Sequence, residues 1–225
     1  MNDRIKEILQ SNKIYMDVFS TLILGVMGLF VTFASYVVSE SQLQESKIAN
    51  YPHFHIEGQL IKDTQENVYN DHEMLVFNTG APAYNIDINS YEFLEVEMRG
   101  SVDKTAIIPI NGYYLGRINT QSPKGLVSKF IGPNNNGTLF ELSSDLLDYS
   151  NSNDIYMQVS LKELVVISYV QRDGDENTQY FLDGKLMTYD KVELLLEINS
   201  VKSLIQFREL TPSKLENLLS SQENA

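Results

Sequence analysis

The sequence predicts a mainly β protein: an N-terminal transmembrane helix, then one antiparallel β-sandwich or barrel domain with a short C-terminal helix. Three observations carry this expectation. Residues 18–39 form an uncharged apolar run bracketed by Asp17 and Glu40. Segments of apolar/polar alternation follow it, and clusters of turn-forming residues separate those segments.

The apolar run comes first. Its 22 residues rise about 33 Å as a helix, which matches the hydrocarbon core of a bilayer. A soluble core helix would show a polar face, and none is reached until Ser39 and Glu40. A cleavable signal has a shorter apolar stretch followed by a small-x-small site, whereas residues 34–38 here still lie inside the run. Tyr15 and Tyr36 stand about 31 Å apart along the axis, so each ring can sit at an interface.

Small and hydroxylated residues line one seam of this helix. Thr21, Gly25, Gly28, Thr32, Ser35 and Ser39 follow one another at steps of 4, 3, 4, 3 and 4. Lipid tails are as apolar as leucine, so membrane helices associate through close packing and hydroxyl bonds, which this seam permits. Self-association, or pairing with another membrane protein, is the expectation. Arg4, Lys6 and Lys13 precede the run and only Lys47 follows within twenty residues, which favours a cytoplasmic N-terminus and an exported β domain. Residues 1–17 carry Ile5, Ile8 and Leu9 on one face, as an interfacial helix would. Residues 40–51 read as a short polar stalk, either irregular or a helical continuation of the span.

Composition narrows what the rest can do. From residue 41 onward, 14 of the 17 Lys/Arg stand against 26 of the 30 Asp/Glu. No basic cluster accompanies the aromatics, so a groove for a nucleic acid polymer is not expected. An anionic lipid surface would repel such a domain. The chain has no Cys, which excludes disulfides, thiolate zinc sites, iron–sulfur clusters and Cys nucleophiles. It also has no Trp, so 13 Tyr and 10 Phe supply the aromatic packing.

The domain is expected over residues 52–210. Pro52 resets the backbone, and alternation begins at once over 53–57, recurring at 84–89, 94–98 and 154–161. Turn chemistry separates these runs at Asn78-Thr79-Gly80-Ala81-Pro82, Asn134-Asn135-Asn136-Gly137, Asp173-Gly174 and Asp183-Gly184. Asp173-Gly174 joins a hairpin of residues 164–171 and 179–182. Within 78–86, Asn85 is expected to bond the turn backbone. Eight to ten strands at such spacing give an antiparallel sandwich or barrel. Residues 143–153 fit one helical turn or a loop. Residues 191–209 fit a strand through Val192, Leu194, Leu196 and Ile198, or a helix from Ser200. Over 211–225, Thr211 caps a helix that starts at Pro212 and turns Leu215, Leu218 and Leu219 to one side.

The order of span, stalk, Pro52-His53-Phe54-His55-Ile56 and then Leu75-Val76-Phe77-Asn78-Thr79-Gly80-Ala81-Pro82-Ala83-Tyr84-Asn85-Ile86 resembles a diffuse group of uncharacterised bacterial proteins. These have one or two N-terminal spans and a compact β domain. The likeness covers about residues 15–90. It also looks like the two-span β-barrel effectors of antiphage signalling, whose barrel binds a cyclic nucleotide and whose helices damage the membrane. This chain differs from them in having one clear span.

Candidate chemistry is sparse. His53 and His55 project from one strand face and His72 follows, the only metal candidates in a chain expected to hold neither metal nor cofactor. Asp173, Asp175 and Asn177 mimic the opening of a calcium loop, but Thr178 stands where its glycine belongs. Glu95 and Glu97 share a strand face, as paired glycosidase carboxylates can, but two neighbours on one strand more often form just an outward acidic face. Nucleophile-elbow, phosphate-loop, dinucleotide and zincin motifs are all missing. A non-enzymatic binding module is therefore expected, self-associating in the cell membrane. The alternative is a ligand-gated membrane effector that senses a small molecule such as a nucleotide, with Arg99, Lys104, Arg117, Lys124 and Lys129 as its candidate ligand-binding cations.

Overall fold

The computed structural model describes residues 2–63, 67–100, 103–120, 122–201 and 203–221. The chain forms two compact units, residues 1–50 and 51–225.

The first unit is helical. α1 (Asn2–Ser11) is followed by α2 (Lys13–Ala49), and the stretch Lys13–Leu43 is long and apolar enough to cross a membrane. Side chains are exposed all round it, as expected of a helix whose apolar surface meets lipid rather than protein. The helix runs through the expected stalk without a break, because Glu40, Gln42, Leu43, Gln44 and Glu45 are good helix formers. It stops short of Pro52, which disfavours helical geometry in the residue before it.

The second unit is a sandwich flanked by helices. In chain order it comprises β1 (Phe54–Ile61), β2 (Asp71–Asn78), β3 (Tyr84–Arg99), β4 (Lys104–Asn111), β5 (Gly116–Asn119), β6 (Gly125–Gly132), α3 (Asn135–Asn153), β7 (Tyr156–Val170), β8 (Glu176–Leu182), β9 (Lys185–Met187), α4 (Tyr189–Val201), β10 (Ile205–Gln206) and α5 (Pro212–Ser221). One sheet runs β1-β2-β6-β5 and the other β10-β4-β3-β7-β8-β9. All pairings are antiparallel except β10 with β4. The two sheets end in open edges, so the fold is a sandwich and not a closed barrel.

β3 and β7, of 16 and 15 residues, form the spine. At one end their inward residues Ile88, Val165, Ile167 and Tyr169 pack on Phe54, Met74, Val76 and Phe130 of the four-stranded sheet. At the other end Leu94 and Val96, with Ile108 and Ile110 of β4, are covered by Leu142 and Leu146 of α3 and by Leu215 and Leu219 of α5. The opposite face, through Phe93 and Leu164, carries Val192 and Leu195 of α4. Each such side chain removed from water contributes roughly 2 kcal/mol.

Two expectations are corrected here. Residues 143–153 belong to a 19-residue helix, α3, and Asn136-Gly137 lies in its first turn. Asn134, at φ 52°, turns the chain into that helix. Residues 189–201 are helical rather than a strand. Val192 and Leu195 face inward at helical spacing, and Leu194, which alternation would bury with Val192, is exposed. The hairpin expected at Asp173-Gly174 joins β7 to β8, and the turn expected at Asp183-Gly184 makes a second one: these residues take φ of 50° and 74° in the two-residue β8–β9 connection, the left-handed pair such turns require.

Candidate functional site

Between the two apolar clusters of the sandwich lies a polar centre. Inward-facing positions on β7 read Leu161, Glu163, Val165, Ile167, so one carboxylate interrupts an apolar row. On β3 the equivalent interruption is Glu92, opposite Glu163 in register. Met74 and Val76 fix the parity of β2 and thereby turn His72 inward. The β4–β5 connection supplies Tyr113 and Tyr114.

These side chains bond to one another. The Tyr114 hydroxyl donates to Glu163 Oε1, and the Ser90 hydroxyl donates to Glu92 Oε1. The hydroxyl oxygens of Tyr113 and Tyr114 each lie 3.2 Å from Nδ1 of His72. Nδ1 also stands 4.0 Å from Glu163 Oε1. Burial dominates the electrostatics. It holds the Glu163 carboxyl up at about 7, with Glu92 and Asp183 adding repulsion and the Tyr114 bond opposing it. Desolvation likewise raises Glu92, lowers His72 and raises both tyrosines. Glu163 also borders a cavity of about 300 Å³ lined by Ile56, Gly58, Met74 and Asp183.

Two buried asparagines hold the surrounding backbone. Asn135, at the start of α3, accepts the His72 N–H at 2.6 Å and returns a bond to the His72 carbonyl at 3.0 Å. Its side chain thus pairs with β2 as a strand would. Asn78 accepts from the N–H groups of His53 and Gly80 and donates to the carbonyls of Ala81 and Pro123. Sequence reading gave that turn-bonding role to Asn85; instead Asn85 sits at φ 47° where the β3–β7 register shifts.

At the end of the sandwich away from α3 and α5, a groove of about 570 Å³ runs between β3 and the β5–β6 hairpin. Arg117 crosses it. Nε donates to Asn119 Oδ1 at 2.7 Å and Ser128 Oγ at 3.3 Å, Nη1 donates to the Ile88 carbonyl, and the guanidinium lies 5.4 Å from the Phe130 ring centroid. Partial burial lowers its pKa, and nearby Asp87 opposes that.

No family model, curated protein or solved structure matches this chain.

The five candidate cations do not converge. Arg117 lines the groove, and Lys124 lies in the adjoining turn. Lys129 points to the opposite face of its sheet and pairs with Glu73 at 2.6 Å. Arg99 and Lys104 flank the far turn between β3 and β4, Arg99 with Glu97 at 3.3 Å. The histidines separate too. His55 stacks on Phe77 on the outer face of the sheet whose inner face carries His72, and His53 lies just before β1. Among the described residues, no group of three or more His, Asp or Glu is placed to hold a metal. Glu95 pairs with Lys162 at 3.2 Å on the sheet's other face from Glu92. In the helix, Thr21 and Thr32 turn their hydroxyls back to the carbonyls of Asp17 and Gly28, both at 2.8 Å. A Cβ added at Gly25 or Gly28 meets nothing within 4 Å.

Sequence reading missed Glu92, Glu163, Tyr113 and Tyr114. The signal was the parity of β7, where a glutamate occupies a position that neighbours on both sides reserve for the core.

Proposed function

We propose that this chain is a membrane-anchored, non-enzymatic interaction module. α2 crosses the bilayer with its N-terminus in the cytoplasm, copies associate through the Thr21–Gly25–Gly28–Thr32–Ser35 seam, and the β domain binds a protein partner outside. The observation that carries this reading is the surface of α2. Its side chains from residue 13 to 43 are all exposed, and the space beside Gly25 and Gly28 is open. Thr21 and Thr32 satisfy their hydroxyls within the helix, which leaves a smooth strip for a neighbouring helix to approach. Confinement to a membrane and self-association then multiply weak contacts made by the domain. The binding role, rather than catalysis, is supported by the polar centre, whose groups are engaged with one another between the sheets. The rival reading as a ligand-gated effector asks for a closed barrel with a basic, aromatic-lined pocket, and two open sheets with dispersed cations do not favour it.

The test is oligomeric state in native membranes, read by cross-linking and by single-molecule photobleaching. Gly25→Leu with Gly28→Leu is expected to shift the population to monomers while membrane association persists. An unchanged distribution rejects the seam. Protease added to intact cells should digest the β domain; protection reverses the orientation.

A further inference from the structure

The two neighbours of β3 do not cover it equally. β7 pairs along it from Tyr84 to Arg99, while β4 pairs only from Glu92 to Met98. On the β4 side, residues 84–91 have no strand partner among the described residues. That free edge is about 26 Å long, enough for an extended segment of six to eight residues. It forms one wall of the 570 Å³ groove through Ile86 and Ile88, and Arg117, Asn119, Pro123 and Val127 form the other.

We propose that this groove is a docking site for an extended peptide strand of a partner protein, which pairs with the β3 edge and presents one carboxylate to Arg117. The proposal rests on the reading above that the domain binds a protein, and it names the surface and the partner's chemistry.

Three observations converge on it. The first is backbone availability. In a strand, the C=O and N–H of one residue point the same way, so the Ile88 carbonyl that meets Arg117 marks the side on which an added strand would pair. The second is the occupant now holding that position. An Arg117 N–H stands where a partner strand's N–H would stand, satisfying the carbonyl until a peptide replaces it. Arg117 is also the only Lys or Arg among the described lining residues, and a planar guanidinium suits a carboxylate better than any other anchor on this chain. The third is how the edge is guarded. Proteins protect open edges with bulges and charges, and here a bulge at Asn85 in the β3–β7 pairing bends one end of the strand while Arg117 blocks the middle of the edge. A generic strand that takes the Ile88 carbonyl strips Arg117 Nη1 of its protein partner and leaves it to water, while Nε keeps Asn119 and Ser128. A strand with a correctly placed Asp, Glu or terminal carboxylate takes over the arginine and frees the carbonyl in one step. The surrounding domain is strongly acidic and Asp87 is close, so a single carboxylate among apolar and β-branched residues is favoured over an acidic run. This is strand addition with one electrostatic key.

The test uses the full chain in lipid nanodiscs, panned against a displayed library of random nonapeptides, with an Arg117→Gln chain panned in parallel. Enriched peptides are expected to be β-branched with one Asp or Glu. A synthetic copy should bind Arg117→Gln at least tenfold more weakly, while its amide counterpart (Asp→Asn or Glu→Gln) loses little further. N-methylation of alternate peptide amides supplies a readout on the unaltered protein: one phase should abolish binding and the other should be tolerated. Backbone amides of residues 86, 88 and 90 should exchange more slowly in the complex. Failure to enrich any peptide, equal binding to Arg117→Gln, tolerance of N-methylation in both phases, or protection confined to another surface overturns the edge site. None of those outcomes touches the broader reading, which fails separately if cross-linking in membranes finds no protein partner for the β domain.

Discussion

Glu92 and Glu163 stand directly opposite each other on β3 and β7, both on the inward face of the sheet. Opposed residues in such a pair are roughly 5 Å apart at their Cα atoms, and this face is largely removed from water. Two carboxylates there cannot both ionise cheaply. Burial raises each, and Glu163 reaches about 7. Below neutral pH the pair therefore holds at least one proton, and Tyr114 and Ser90 tether the two carboxyls from opposite sides.

That arrangement makes stability depend on pH with a defined sign. A carboxyl raised from 4.5 to about 7 binds a proton in the folded state that the unfolded chain has already released. Its contribution is complete below about pH 4.5 and is lost as pH rises toward 7, on the order of 3 kcal/mol. His72 works the other way: its lowered value stabilises the fold above 6.5 and withdraws that support as pH falls below it. Just under pH 6.5 the two slopes oppose each other, so His72 flattens the wild-type decline there. Glu163→Gln should be more stable than wild type at pH 8 and should lose that decline. His72→Gln should expose the Glu163 slope across the full range from 4.5 to 7. Urea titrations of the detergent-solubilised chain from pH 4.5 to 8, followed by near-ultraviolet tyrosine dichroism, measure both. Parallel curves for wild type and Glu163→Gln refute the assignment.

Asn135 is expected to be among the most sensitive polar positions. It is fully buried, and its amide bonds both backbone groups of His72. Asn135→Ala leaves the part-buried N–H and C=O of His72 without partners, at roughly 2 kcal/mol together. Asn135→Asp keeps an acceptor for the His72 N–H but turns an oxygen toward the His72 carbonyl, so it should be no better. Because Asn135 holds the backbone that aims His72, both variants should also shift the imidazole resonances of His72. A melting temperature within 2 °C of wild type contradicts this account.

Much of the fold was legible where one periodicity acts alone. Alternation located β1, β3 and β7, Asp173-Gly174 located the β7–β8 hairpin, and Asp183-Gly184 located the turn after β8. α3 was obscured because its inward row runs Leu142, Leu146 and then Ser150, while Phe140 and Leu147 face water. Burial there follows what β7 and α5 cover, which local sequence does not encode. The groove was half legible: Arg117 was named among the cations, but its separation from Arg99, Lys104 and Lys129 depends on strand order. The polar centre needs the pairing of β3 with β7 before Glu92 and Glu163 become neighbours, and no spacing between residues 92 and 163 announces it.

Gly132 and Gly25 should respond oppositely to the same substitution. A Cβ on Gly132 would clash with Asn135 Nδ2 and lie 2.5 Å from the Tyr113 backbone oxygen. The asparagine could swing away only by abandoning His72, and the backbone oxygen cannot move freely. Gly132→Ala should therefore destabilise the β domain at least as much as losing the Asn135 bonds, roughly 2 kcal/mol. Gly25→Ala meets open space and gains helix propensity, so its β-domain unfolding curve should overlay wild type. Equal unfolding midpoints for Gly132→Ala and Gly25→Ala refute the packing described around Asn135.

Neighbouring leucines in α4 give a direct test of helix against strand. Leu195 packs with Val192, Phe93 and Leu164 on the outer face of the six-stranded sheet, whereas Leu194 is 62% exposed. In a strand through residues 192–198, Leu194 and Leu196 would lie together on the buried side and Leu195 on the solvent side. In the helix, Leu194→Lys changes a water-facing position and should move stability by less than about 0.5 kcal/mol. Leu195→Ala opens a cavity against β3 and β7, for which large-to-small core changes typically cost about 2–5 kcal/mol. Chemical denaturation of the two variants settles the assignment. If Leu194→Lys proves the more damaging, α4 does not cover this face of the sheet, and Phe93 and Leu164 have to be shielded by something else.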